Sequence, residues 1–545
     1  MSVQSAPSAN LIGGLGIVGL GVLVALTTDL AMTSLTLPKL AFLLGGFALL
    51  IPTIMVEDPQ AYWLFLLVFS FPFDISKWLS SPEASEQLVD TYGMPASGIA
   101  SVELFLTDVV LLAMVIPWLA RVCLRKETVY FPRVGHFFIL YLAWGMLVAL
   151  INAPSFSLSF FAFWRQLLYF LIFLYIINKV STPLRLRCVV LAVFLGFIVG
   201  AGTVIVWFER GIGTDTVAFA SLHDQGGEQA AQSHKAGKKN SDPEVLTLGD
   251  STRTFGFREP GQGSAIKRSQ GIFTHPAIPA CLSAIILQLV LSYLIVARSM
   301  FYRVALSIVY ILGLIALVLT FSRGGAIGFI VGTLVFFAVA SWSGLISRRV
   351  MGFVAVALSV IAIISVPMVL LYFGARPESF SMRFNLFEAE LKGYSQHPFL
   401  GVGLNNATAA MKAGRQELKD LGIPIAQTEA ADSYHLAMLT EVGPIGMIFL
   451  YVFFGKILII ALHKMREAAA DIKPLLVGMV AGLGALATQS IADEPVAGHP
   501  VACIAWLFAA LIIAIDRSTK AETRSSSGGL HPEPARLLTA PRSQL

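Results

Sequence analysis

Long apolar runs alternate with short polar interruptions along almost the whole chain. The runs fall near 11–28, 36–55, 60–76, 101–119, 135–152, 159–178, 186–208, 275–297, 303–320, 324–341, 350–373, 434–462, 474–491 and 499–515. Most approach the roughly 20 residues that a helix needs to cross the hydrocarbon core of a bilayer. In that core every backbone N–H and C=O must be bonded within the protein, so each run is expected to be a helix. The pattern therefore predicts an all-α, polytopic integral membrane protein with about fourteen transmembrane helices. The span near 60–76 is the least regular, because Pro72 and Asp74 interrupt its end. No basic residue precedes the first run, and the first one in the chain is Lys39. A cleavable signal peptide needs such a basic start, so the first run is read as a retained helix.

The polar interruptions set the topology. Arg121, Arg125, Lys126 and Arg133 share one loop; Lys179, Arg185 and Arg187 another; Arg298 and Arg303, Arg348 and Arg349, and Lys464, Arg466 and Lys473 three more. Arg517 and Lys520 open the C-terminal tail. An even number of expected spans separates each of these groups from the next, so all fall on one side. The bias of Lys and Arg toward cytoplasmic loops makes that side the cytosol and places both termini there. The chain then divides into N-terminal helices (1–208), a first long external (periplasmic) loop (209–274), central helices (275–373), a second long external loop (374–433), C-terminal helices (434–516) and a disordered cytoplasmic tail (517–545). The first external loop is rich in Gly, Ser, Gln and Lys around Gln225–Asp242, as a solvated excursion would be. In the second, Phe384, Leu386, Phe387, Leu391 and Tyr394 form one apolar stripe at helical spacing. That is the pattern of an amphipathic helix lying on a membrane or capping a cavity.

Composition narrows the function classes. Hydrophobic residues make up 56% of the 545 positions and charged ones 13%, against about a quarter charged in soluble domains. The net charge of +5 belongs to membrane-flanking positions and gives no nucleic-acid signal. Cys123, Cys188, Cys281 and Cys503 show neither disulfide-framework nor metal spacing. No phosphate-binding or dinucleotide fingerprint is present, and the cytoplasmic loops are too short for a nucleotide-binding domain. Chemistry is expected outside or within the membrane, with no cofactor, no metal and no ATP or nucleotide sugar as direct substrate.

Arginine is concentrated on the external side, where the insertion rule disfavours it. Arg323 follows Ser322 and precedes Gly324-Gly325 between two spans; Arg383 opens the amphipathic stretch; Arg268, with Arg253 and Arg258, closes the first long loop; Arg165 lies near the external end of its span. A lone arginine there reads as a snorkelling side chain, and Arg165 equally as one half of a buried ion pair. Several together fit an anionic ligand, and the planar guanidinium fork suits a diphosphate. Farther on, His397-Pro398-Phe399-Leu400-Gly401-Val402-Gly403-Leu404-Asn405-Asn406 reads as a helix stop and tight turn, with His397 packing or capping it. Asp432 and His435, three apart where a loop enters a helix, share a face. Either is a candidate general base toward a hydroxyl, and Asp432 is also an ordinary N-cap type.

These pieces, in this order, resemble the O-antigen ligase and polysaccharide polymerase superfamily. The matching elements are Ser322-Arg323-Gly324-Gly325, then Arg383 with His397-Pro398 and Gly401-Val402-Gly403, then Asp432 to Gly446 ending in Leu439-Thr440-Glu441-Val442-Gly443-Pro444-Ile445-Gly446. The resemblance implies a metal-independent glycosyltransferase of the bacterial inner membrane. Its donor would be an undecaprenyl-diphosphate-linked glycan, and its acceptor a second glycan or lipid A. Membrane lipids and other polysaccharide-assembly proteins would be its partners. By the same resemblance Arg323 and Arg383 hold the diphosphate, and a histidine at the helix entry activates the acceptor; Arg268 joins the two arginines as a candidate from its own place at the end of the first long loop. Here the histidine position, counted back from Glu441, falls on Asp432, with His435 nearly one turn later. The departure favours a polymerase of repeat units over a lipid A ligase.

Two other classes fit many helices with membrane arginines: a transporter or flippase of lipid-linked glycans, and a noncatalytic assembly protein. A transporter is expected to show internal repeats and interrupted helices, and no repeat is evident between the halves of this chain. The topology has a direct check. A cysteine at position 323, in a protein without its native cysteines, should react with an impermeant maleimide added outside intact cells. Labelling only from the cytosolic side would overturn the assignment.

Overall fold

The computed structural model describes residues 56–74, 76–78, 103–210, 214–215, 268–347, 377–421, 433–491 and 493–527. The expected spans 11–28, 36–55 and 350–373, and Asp432, Arg253, Arg258 and Gln225–Asp242, lie outside them. The described helices are α1 Pro59–Phe69, α2 Leu106–Cys123, α3 Gly135–Asn152, α4 Phe156–Lys179, α5 Pro183–Arg210, α6 Ala277–Val296, α7 Met300–Leu319, α8 Arg323–Trp342, α9 Pro377–Gln396, α10 Ala407–Asp420, α11 Tyr434–Glu467, α12 Lys473–Gln489 and α13 His499–Ser527. Two short antiparallel ribbons complete the fold: β1 Ser76–Trp78 with β2 Glu103–Phe105, and β3 Thr214–Asp215 with β4 Arg268–Ser269. Among the described residues nine helices are long and apolar enough to cross a membrane. The chain is a multi-pass membrane protein. Two other apolar helices are shorter, α1 with 11 residues and α12 with 17.

Helix α13 is the central post. It is buried along its whole apolar length, as expected of a helix that is hydrophobic on every face. Helices α6, α8 and α12 pack as a tight trio beside it. A Cβ added at Gly332 would lie 2.7 Å from the Ala485 Cβ, and one at Gly328 2.9 Å from the Ala485 carbonyl oxygen. Small residues let these backbones approach closely, which is how helices gain contact where lipid offers no hydrophobic advantage. Gln288 Nε2 ties α6 to α8 by donating to Thr333 Oγ1 at 3.1 Å.

The basic clusters gather at one end of the bundle. Arg185 grips Asp58 through two bonds, at 2.7 and 3.1 Å. Lys179 and Arg121 meet Glu127, Lys473 donates to the Ser343 carbonyl at 3.1 Å, Arg466 covers Trp342, and Arg517 covers Tyr130. Charge segregation read from the sequence thus corresponds to one physical surface.

Four expectations change. The helix beginning at Pro59 stops at Phe69, with Phe71 and Phe73 continuing in turns before Pro72 and Asp74 could be accommodated in a span. The tail expected to be disordered from 517 stays helical to Ser527, and 528–545 lie outside the described residues. The second long loop carries two helices, α9 and α10, rather than one. Most consequentially, the single span expected at 434–462 is broken. Gly443 has φ 63° and ψ −179°, a conformation essentially confined to glycine. His435 and Tyr451 are hydrogen-bonded at 2.6 Å although 16 positions apart. A straight helix would separate them by about 24 Å, beyond the reach of two side chains. Residues 434–442 therefore fold back against 444–467, forming a V with its apex at Gly443. Both arms lie along α3: Tyr141 Oη donates to Met438 Sδ at 3.6 Å, Trp144 Nε1 to the Val442 carbonyl at 2.9 Å, and Phe138 meets Phe453.

A Cβ at Gly443 would also overlap the Phe399 carbonyl oxygen. Gly443→Ala is therefore expected to lower Tm by several degrees or abolish folded protein in detergent. Gly455→Ala, on a helix where an added Cβ meets nothing within 4 Å, should be neutral or stabilise by about 0.5–1 kcal/mol. Equal melting of the two variants would contradict the V.

Candidate functional site

The end opposite the basic clusters holds the candidate residues. The α7–α8 turn is tight: Phe321 sits at φ 48°, and Ser322 Oγ caps α8 by accepting from Gly325 N at 3.1 Å. Arg323, half-buried, is the first residue of α8. Arg268 Nε donates to the Thr320 carbonyl at 3.1 Å, so the end of the first long loop is fastened to this same turn. Ser269 Oγ donates to the Val204 carbonyl at 2.7 Å, anchoring the segment on α5. Two of the three arginines expected to hold a diphosphate are thus brought to one turn. Arg383 lies within α9, and its side chain is outside what the structure describes.

Asp493 joins the helix ends around that turn. Its carbonyl accepts from Tyr434 N at 3.4 Å, at the start of α11. Its Oδ2 accepts from Gln489 Nε2 at 3.4 Å, at the end of α12. The same oxygen would lie 3.2 Å from a Cβ on Gly324. The N-termini of α8 and of the 434–442 arm therefore converge on Asp493. Their partial positive ends, with two guanidinium groups beside one of them, suit an anion. Sequence reading missed Asp493 and the neighbouring Glu494. The available signal was a pair of acidic residues in the short polar gap between two expected spans.

His435 does face this region's edge, but neither ring nitrogen is idle. Nδ1 meets Tyr451 Oη at 2.6 Å and Nε2 the Ala487 carbonyl at 3.3 Å. Arg165 forms the buried ion pair considered for it, with Nη1 donating to Asp108 Oδ2 at 2.6 Å and its guanidinium 4.5 Å above Phe105. Phe105 in turn stacks on His499, which meets Tyr169 Oη at 3.2 Å. This second polar cluster braces the start of α13, directly after the Asp493–Glu494 segment.

The two remaining motifs prove to be one structural unit. The turn after His397 docks into the break of α11. Val402 N donates to the Thr440 carbonyl at 2.9 Å and Gly403 N to the Glu441 carbonyl at 2.8 Å. The break leaves carbonyls without helical donors, and the turn supplies the missing N–H groups. Gly401, at φ 82°, comes so close that a Cβ there would overlap Glu441. The buried Glu441 carboxylate accepts from the backbone N–H of Asn405 and Ala407, the latter at 3.4 Å. Asn406, wholly buried, accepts from Ser155 N at 3.0 Å and donates to the Ser155 carbonyl, Ser159 Oγ and Leu404 carbonyl. The side chain of His397 is exposed rather than packed on the turn, and its carbonyl closes the turn by accepting from Gly401 N at 2.9 Å.

Residues 308–451 match the family described as O-antigen ligase. The matched segment is 144 of the chain's 545 residues. The match supports the superfamily indicated by the motifs, and with it a glycosyltransferase type of activity acting on lipid-linked glycans in general. The matched segment contains Arg323, Arg383, Asp432 and both arms of the V as far as Tyr451. Arg268 and Asp493 fall outside the matched segment, yet the fold brings them to its edge. A comparison with curated proteins finds no match.

Within this segment Asn406→Ala should lower Tm, because it strands several buried donors and acceptors at about 1–3 kcal/mol each. Glu441→Ala should do the same and Glu441→Gln less, since the amide oxygen still accepts. Thermal melting in detergent checks the order; equal Tm values for all three variants and the wild type would contradict the docking.

Proposed function

We propose that this protein joins glycans at the periplasmic face of a bacterial inner membrane, as a metal-independent transferase using a polyprenyl-diphosphate-linked donor. Polymerisation of exopolysaccharide or O-antigen repeat units is the first assignment, and ligation to lipid A the second. The observation that carries the reading is the fastening of Arg268 to the turn that presents Arg323, where two helix N-termini meet. Leaving diphosphate gathers negative charge as the anomeric bond breaks. Guanidinium groups and helix N-termini already in place stabilise that charge without reorganising. Arg383, carried by α9, is the third arginine assigned to the diphosphate. Asp432 or His435 serves as the group that receives the acceptor's proton, and Asp493 fixes the floor to which the helix ends are tied.

One feature favours a second reading, a flippase of the same lipid-linked glycan. Broken helices with half-helix N-termini aimed at an anion are a device of transporters, and the V of α11 is such a break. Deleting the gene and analysing the cell's polysaccharides separates the cases. Single repeats left on carrier at the external face indicate a polymerase, long polymer without its lipid A anchor indicates a ligase, and carrier-linked repeats retained in the cytosol indicate a flippase.

Arg323→Lys should reduce transfer by about 10²-fold or more, because charge remains but the two-pronged fork is lost. Arg383→Lys should behave similarly, and the double Ala variant should form no new linkage. Glycan of full length made by the double Ala variant would rule out the diphosphate site.

A further inference from the structure

We propose that Tyr451 is the group that meets the acceptor hydroxyl, and that Tyr451 and His435 pass its proton as a concerted two-proton relay. The inference rests on the glycosyl-transfer reading above and extends it to a residue for which no role has been assigned.

The hydrogen bonds of His435 fix how it can act. A backbone carbonyl only accepts, so the 3.3 Å contact between Nε2 and the Ala487 carbonyl places the ring proton on Nε2. In the neutral imidazole the other nitrogen then holds the lone pair. That nitrogen, Nδ1, lies 2.6 Å from Tyr451 Oη, which donates to it. His435 consequently has no lone pair left for a substrate. The oxygen that still offers lone pairs is the phenol of Tyr451, a residue that is 44% exposed. A free phenol, with its pKa near 10, holds its proton at neutral pH and is a poor base precursor. Coupled to an imidazole it can accept one proton while releasing another.

In the proposed step the acceptor oxygen bonds to the donor's anomeric carbon. The bond from that carbon to the phosphate oxygen breaks, and its electron pair leaves with the diphosphate. The hydroxyl proton moves to Tyr451 Oη as the phenol proton moves to His435 Nδ1. The imidazolium keeps its Nε2 proton on the Ala487 carbonyl. Charge and protons balance, and the phenol ends as it began.

The break at Gly443 is what makes the pair possible, since residues 16 apart meet only because the two arms fold together. The strained glycine thereby gains a chemical consequence beyond packing. The pair also lies one residue from Tyr434, whose N–H is tied to Asp493 at the diphosphate floor.

The test uses the full-length protein in lipid nanodiscs with an undecaprenyl-diphosphate-linked repeat unit as donor and acceptor. Tyr451→Phe keeps the ring and removes the O–H. It should bind donor as the wild type does and lose about 10²–10⁴-fold in transfer rate. His435→Gln should lose as much, and the double variant no more than either single one, because a relay fails as a unit. In mixtures of H2O and D2O the wild-type rate should fall along a curve, as for two protons in flight; this measurement needs no variant to fold. A wild-type rate in Tyr451→Phe, a loss in His435→Gln alone, or a straight line in the isotope mixtures would each overturn the relay while leaving glycosyl transfer in place. Wild-type protein that binds donor and forms no glycosidic bond would overturn the transfer reading and the relay with it.

Discussion

Hydrocarbon offers no partner to an unbonded backbone group, so any break in a membrane helix must be mended by protein. The break in α11 at Gly443 is mended by a turn from another part of the chain. Two backbone N–H groups, from Val402 and Gly403, fill the carbonyls of Thr440 and Glu441. The Glu441 carboxylate answers by holding Asn405 and Ala407. The exchange is mutual: the helix could not fold back without the turn, and the turn would have no seat without the break. Everything that brings chemistry together, including the inward arm from Tyr434 to Val442 and its meeting with Asp493, follows from that repair.

The site itself is made of ends. The starts of α8 and α11, the finish of α12 and the short segment before α13 meet around Asp493. Ends are where helices carry partial charge and unspent donors, and here they are joined by Arg268 and Arg323. Behind them stands a second polar group, Arg165 with Asp108 and His499 with Tyr169. It occupies the start of the buried post α13 and keeps the acidic segment from shifting. The cost of burying these groups falls where their geometry sets the position of the segment that carries Asp493.

The arrangement was partly legible in the sequence. Apolar runs gave the helices, and the Lys and Arg clusters named the surface that Asp58, Glu127 and Trp342 share with them. The place of Arg323 at a helix start was readable from Ser322 and the glycines after it. The fold-back was not, because the stretch from Tyr434 to Leu462 is apolar enough overall to read as one span despite Glu441 and Lys456. Its one local mark was Gly443 followed by Pro444, a pair that disfavours continuous helix. His435 and Tyr451 could not be paired beforehand, since their spacing matches no helical or strand period. Asp493 escaped notice because Gly324 and Tyr434, which the fold brings to it, are distant in the sequence. The helical tail beyond Arg517 was missed because its polar composition reads as loop when the preceding helix is ignored.

The α9–α10 layer meets the bundle chiefly at the turn between its helices, with Val402 and Gly403 on α11, Leu404 against Gly145 and Asn406 in the α3–α4 turn. The floor beneath it is built from helices locked to the central post. A covering that is sewn on at a handful of points can be exchanged in evolution without disturbing what it covers. The faces of α9 and α10 turned away from that turn can therefore change while the turn and the floor below stay constant.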